Sequence, residues 1–178
     1  MPETLRLPSR LHHTAYVVED LERTRHFYED LIGLPLIATY CEVEELLGAK
    51  RVYCHCFFGL ADGGALAFFQ FANHADFDFF TQGGPISPRF HVAFKCDEAT
   101  QSDIHQRLVS ANYERGTIFL DHGYCKSLYV ADPDGLTLEF TLDSDRVDPL
   151  APTYADAHGE LVRWLGGNHA SNNPLRRT

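Results

Sequence analysis

Apolar and polar positions alternate along several stretches of the chain. Val92, Phe94 and Cys96 fall on one side of an extended backbone, with Phe90 ahead of them, and His91 and Ala93 fall on the other. The same rhythm of two returns near the end: Leu136, Leu138, Phe140 and Leu142 share one side, and Thr137, Glu139 and Thr141 the other. Between such strands the rhythm turns helical. Asp20 can cap a helix whose apolar face is Leu21, Tyr28, Leu31 and Ile32, with Gly33 and Pro35 to stop it. Asp97 or Thr100 can cap another, carrying Ile104, Leu108 and Ala111 and ending near Asn112. Strand-like runs follow the first helix at 36–40, 51–58 and 65–71, and the second at 117–120, 126–131 and 136–142. Asp132-Pro-Asp-Gly135 is the turn between the last two.

The pattern therefore runs twice. His13-Thr-Ala-Tyr-Val-Val-Glu-Asp is matched by His91-Val-Ala-Phe-Lys-Cys-Asp-Glu: a histidine, an alanine two places on, an apolar strand, then acids that can cap a helix. This predicts an α+β fold of two tandem βαβββ modules, about 11–73 and 89–143, within one domain spanning 1–150. A connector rich in Phe, Gly and Pro joins them at 74–88. Residues 151–178 form a C-terminal extension, with a short helix expected around 155–165 and a polar tail after it.

Composition narrows the function. A chain of 178 residues with 44% hydrophobic residues can bury a sizeable core. Its net charge of -10 and the lack of any basic run argue against nucleic acid as a partner. The N-terminal residues are polar, and no apolar stretch is long enough to span a membrane. Five cysteines without C-x-x-C spacing suit a reducing compartment better than a disulfide framework. A cytoplasmic protein is expected.

His91 and Glu139 point away from the apolar faces of their strands, and His13 opens the corresponding strand of the first module. A single strand histidine is usually a hydrogen-bonded core residue. A carboxylate on a half-buried sheet face, however, needs a partner. Two neutral imidazoles and one carboxylate at matched positions of a duplicated unit could share a divalent metal.

The stretch from Leu11 to Leu34, with His13, Asp20 and the Phe27-Tyr-Glu-Asp-Leu-Ile-Gly33 run, resembles the opening of the vicinal oxygen chelate superfamily. Tyr129-Val-Ala-Asp-Pro-Asp-Gly-Leu-Thr-Leu-Glu139-Phe resembles its ending. That superfamily includes glyoxalase I, fosfomycin-resistance proteins, bleomycin-binding proteins and extradiol dioxygenases. The resemblance implies curled mixed sheets that pair into a metal-holding cup, with His13, His91 and Glu139 as ligands. Glyoxalase-like members add a fourth ligand, usually an acid, late in the first module. Here Ala67-Phe-Phe-Gln70-Phe offers Gln70 alone.

Three further positions are similar to the type I extradiol branch. His74 matches its acid–base histidine, His122 its second active-site histidine, and Tyr129 its tyrosine ahead of the metal glutamate. The resemblance implies ring cleavage of a catechol-type aromatic by O2 on Fe(II). Phe77, Phe79 and Phe80, near the connector, could wall a flat ring pocket, although such residues are more often core. Mn, Ni or Zn with a glyoxalase-type isomerase or thiol transferase is the alternative, and a non-catalytic binder of aromatic ligands is a third. Paired modules with exposed sheet edges suit a homodimer. Extradiol enzymes usually carry four modules, and this chain has two.

Overall fold

A computed structural model describes residues 10–82, 91–144, 159, 162–163, 165–168 and 170. By its internal contacts the chain divides into two compact units, Met1–Ile86 and Ser87–Thr178. Each holds one four-stranded mixed sheet, and the order of elements is the same in both.

In the first unit β1 (His13–Val17) leads into helix α1 (Leu21–Arg25), followed by β2 (Leu36–Leu46), β3 (Ala49–Gly59) and β4 (Ala65–Phe71). The spatial order is β1-β4-β3-β2, with β1 parallel to β4 and the other pairs antiparallel. Asp20 caps α1, its carboxylate accepting from the amides of Glu22 and Arg23. The helix then widens into a π-helical segment, His26–Ile32. Its i→i+5 bonding brings two adjacent pairs, Phe27–Tyr28 and Leu31–Ile32, onto the core side, and all four are buried. The expected apolar face lacked Phe27 because it assumed an ordinary helical turn. Gly33 ends the segment at φ 90, a left-handed conformation open to glycine. Tyr28 packs at 4.5 Å from Phe68 and 5.5 Å from Phe58, ring centre to ring centre, and anchors this core.

β2 is much longer than the strand expected near 36–40. Its polar half is extended by pairing: Glu44 lies across from Arg51, and Glu45 from Lys50. The Tyr53 hydroxyl lies 2.9 Å from Glu42 and 2.8 Å from Glu44. Leu47 and Gly48, both at positive φ, make the two-residue turn into β3.

The connector rich in Phe, Gly and Pro, for which the sequence suggests no element, opens with helix α2 (His74–Thr81). Asn73 caps it by accepting from the amide of Asp76. Buried Asp76 pairs with Arg51, and Phe80 stacks on Phe71 at 4.7 Å.

The second unit repeats the plan with β5 (His91–Lys95), α3 (Glu98–Ser110), β6 (Ile118–Asp121), β7 (Cys125–Ala131) and β8 (Thr137–Asp143), in spatial order β5-β8-β7-β6. Asp97, rather than Thr100, caps α3, accepting from the Thr100 amide. Ile104 and Leu108 of α3 are buried, as are Leu128, Val130, Leu138 and Phe140 of the sheet. Each such side chain contributes about 1.5–3 kcal/mol through burial. Gln101 is also buried, and its amide donates to the Phe140 carbonyl at 2.7 Å.

The expected C-terminal helix and tail lie largely outside the described residues. Within them, Gly159, Val162, Arg163 and Leu165 are helical. No helix among the described residues is long and apolar enough to cross a membrane.

Candidate functional site

Strand alternation in the second unit turns the apolar side of β5, β7 and β8 toward α3 and leaves a polar group on the other side. Glu139 is its centre. Register sets Glu139 beside Ala93 of β5 and Tyr129 of β7, and His91 begins β5 on the same face. The small Ala93 leaves room between them.

Glu139 is only 6% exposed, so its charge depends on donors. Ser127 donates to Oε1 at 2.6 Å and Thr141 at 3.1 Å. The other oxygen, Oε2, lies 3.0 Å from His91 Nε2. Burial alone pushes the Glu139 carboxyl up. Hydrogen bonds from Ser127, Tyr129 and Thr141, with His91 nearby, outweigh it and hold Glu139 below the usual carboxylate range.

Tyr129 stands beside this pair, its hydroxyl 3.0 Å from His122 Nε2. Burial first, then the Glu139 carboxylate, push the Tyr129 phenol up to about 12. Its ring centre is 6.1 Å from those of both His91 and His122. Four residues singled out in the sequence, His91, His122, Tyr129 and Glu139, are thus gathered on one sheet face.

Ser127 and Thr141 were not singled out. The signal was available: Ser127 is two places before Tyr129 and Thr141 two places after Glu139, so alternation puts them on the same face. A larger cavity of about 910 Å³ opens near the start of α3, lined by Lys95, Asp97, His105, Phe119 and Lys126 among others. It includes none of the four gathered residues.

In the first unit, His13 is exposed at the start of β1, its Nδ1 2.8 Å from that of His12. Its face continues through Ala15 and Val17 of β1, Ala65, Ala67 and Phe69 of β4, and His55 and Phe57 of β3. His55 stacks on Phe69 at 3.6 Å, and its ring centre lies 6.5 Å from that of His13. Its buried Nε2 has no hydrogen-bond partner among the described residues. Burial first, then His13, push the imidazole pKa down, which keeps the ring neutral. His55 too was missed, although alternation from Tyr53 and Phe57 marks its face.

Gln70 lies on the opposite side of β4, where its Oε1 accepts from the Leu21 amide at 2.9 Å. It is committed to the start of α1 and is turned from the His13 face. His74 begins α2 and is exposed, 3.1 Å from Asp78 and 3.9 Å from Glu19. It borders a cavity of about 190 Å³ with Val18, Gln70 and Phe77. Phe80 is used in the stack on Phe71, and Phe79 lies beneath the Arg51 guanidinium.

No three His, Cys, Asp or Glu side chains among the described residues are close enough to hold a metal by themselves. The His91–Glu139 pair nevertheless fits one. Two donors at right angles on a divalent metal, each about 2.1 Å from it, are separated by roughly 3 Å, as these two atoms are. Oε2 is the oxygen that Ser127 and Thr141 leave uncovered.

Comparison with known proteins agrees with the duplicated fold. Over 128 residues, 72% of this chain and 88% of the relative, the sequence is 27% identical to a lactoylglutathione lyase of Haemophilus influenzae. The structure is similar to that of oxidase ChaP-H2, with a TM-score of 0.51 and 20% identity over 78% of this chain and 96% of that one. It is also similar to the fosfomycin resistance protein FosX of Listeria monocytogenes, with a TM-score of 0.51 and 18% identity over 79% of this chain and 98% of that one. At such identities the two structural likenesses concern the fold. The family model of the Glyoxalase/Bleomycin resistance protein/Dioxygenase superfamily matches residues 10–140. The chain belongs to that superfamily.

Proposed function

We propose that this protein is a metal-dependent dioxygenase that cleaves a catechol-type aromatic with O2, using His13, His91 and Glu139 as the ligands of one Fe(II) ion. The observation that carries this reading is the donor count. Glu139 is anchored through Oε1 with Oε2 set 3.0 Å from His91, and β4 offers no acid on the face it shares with His13. Two histidines and one carboxylate with open positions are the donor set of non-haem Fe(II) oxygenases. Bound there, the ion would supply Lewis acidity that favours a deprotonated diol, and the redox chemistry that O2 requires.

The chain's own residues have defined tasks on this reading. Tyr129, held as a phenol, and His122 form a hydrogen-bonded pair that can donate to an oxygen of the substrate as negative charge develops. His55, Phe57 and Phe69 offer flat, largely apolar rings beside His13 for an aromatic substrate. His74 would exchange the substrate proton, a task suited to imidazole. That last role rests on the family resemblance, since its partners are the surface carboxylates of Asp78 and Glu19.

A second reading, a glyoxalase-type isomerase with Ni, Zn or Mn, is favoured by the 27% identity to a lactoylglutathione lyase. Against it stands the position of Gln70, which would have been the fourth ligand. Metal analysis of protein purified without oxygen separates the two. Stoichiometric iron, lost in Glu139→Ala, supports the dioxygenase. Full iron occupancy in that variant would overturn the ligand assignment, and nickel, zinc or manganese would favour the isomerase.

A further inference from the structure

The first unit carries three of the five cysteines, and two of them face each other. Cys41 of β2 and Cys54 of β3 are direct cross-strand partners, with their sulfurs 3.7 Å apart. Directly paired positions in an antiparallel ladder have Cα atoms about 4.5–5.5 Å apart. That range falls within the roughly 4.4–6.8 Å that a disulfide spans. Closing the bond to about 2 Å needs small side-chain rotations and no change of register. Cys41 is exposed and Cys54 half-buried, so a small reagent can reach one sulfur while the other waits behind it.

We propose that Cys41 and Cys54 form a reversible redox site, closed into a cross-strand disulfide by exchange with a small disulfide of the oxidised-glutathione type. The Cys41 thiolate attacks the small disulfide, breaking its S–S bond, releasing one small thiol and leaving a mixed disulfide on Cys41. Cys54 then gives up its proton and attacks the Cys41 sulfur, and a second small thiol leaves. One small disulfide is reduced to two thiols, and the two protein thiols are oxidised to one disulfide.

The order of attack follows from the surroundings. Burial first, then the hydrogen bond with Cys41, push the Cys54 thiol up to about 12, so Cys54 is poorly suited to attack first. Capping Cys41 removes that hydrogen bond and frees Cys54 to resolve the adduct. Cys56 is a poor substitute. It is buried, its sulfur lies 3.5 Å from the Thr39 hydroxyl, and it follows Cys54 by two residues on one strand. That spacing, about 6.6–6.8 Å, is at the outer limit for a disulfide.

Both cysteines belong to the first unit, and the test of the site does not depend on the metal. The full-length protein is incubated with oxidised glutathione, quenched with an alkylating reagent and analysed by peptide mass mapping. The expected product in the wild type and in Cys56→Ser has lost two hydrogens and contains a Cys41 peptide bonded to a Cys54 peptide. Cys54→Ser should stop at a glutathione adduct on Cys41, and Cys41→Ser should give no internal bond. Dithiothreitol should reverse the wild-type product. A wild-type protein that stays fully reduced, holds only the glutathione adduct, or bonds through Cys56 or between molecules would overturn the proposal.

Discussion

Ala67 occupies in the first sheet the place that Glu139 occupies in the second. Each lies on the last strand of its module, paired in parallel with an alanine two residues after the opening histidine: Ala67 with Ala15, and Glu139 with Ala93. The duplicated fold thus carries a carboxylate in one copy and a methyl group in the other. On the proposed reading, this asymmetry is what leaves the first sheet without an acid to add to His13, His91 and Glu139.

It can be reversed. Ala67 is fully buried, so Ala67→Glu should destabilise the metal-free protein by roughly 3 kcal/mol, through crowding and an unpaired carboxylate. If position 67 faces the metal, adding Ni or Zn should raise the urea midpoint of this variant by more than that of the wild type. Equal shifts would mean that position 67 does not reach the ion.

Ser127 should matter for the metal although it does not touch it. Its hydroxyl donates to Glu139 Oε1 at 2.6 Å and holds the carboxylate with Oε2 toward His91. Ser127→Ala should weaken metal binding about 10–100-fold, as loss of an orienting partner typically does. Titration of the apo-protein with metal checks this, with Ser127→Thr expected to recover part of the loss.

Tyr129 gives a pH signature. An ordinary tyrosine titrates near pH 10, and burial with the neighbouring Glu139 raises Tyr129 to about 12. A raised pKa means that its stabilising contribution is full below about pH 10 and is lost as pH rises through about 12. The Tyr129→Phe variant should therefore lose less stability than the wild type across that window. Denaturant melts at a series of pH values measure it, and Tyr53→Phe should change the profile in the same sense, because Tyr53 is also raised.

Packing predictions are independent of chemistry. Leu108 is fully buried in the core of the second unit, and Leu108→Ala should cost about 2–5 kcal/mol. Removing the α3 cap with Asp97→Ala should cost about 1 kcal/mol. Urea unfolding of the metal-free protein reads both.

Much of this was legible in the sequence because the two modules share one rhythm. Alternation alone placed His91 and Glu139 on one face, and the Asp-Pro-Asp-Gly turn fixed the last hairpin. The illegible parts have local causes. The polar half of β2 is extended by backbone pairing with β3, which leaves no hydrophobic periodicity in its sequence. α2 begins at an Asn cap whose helix buries an aspartate against Arg51, and the π-helical turn changes which residues of the first helix reach the core. Alternation from Tyr129 marks the face of Ser127, but its bond to Glu139 comes from a register that the sequence does not show. The sequence leaves the role of Gln70 open, because only the register shows that its amide turns to the Leu21 amide at the start of α1.

The measurement that tests the central claim most directly is O2 consumption by iron-loaded protein with a panel of catechols, the Glu139→Ala variant serving as control. Catechol-dependent O2 uptake with a yellow ring-cleavage product, absent in the variant, is the predicted result. Iron-loaded protein that takes up no O2 with any catechol, but isomerises a thiol adduct of a 2-oxoaldehyde with Ni or Zn bound, would contradict it.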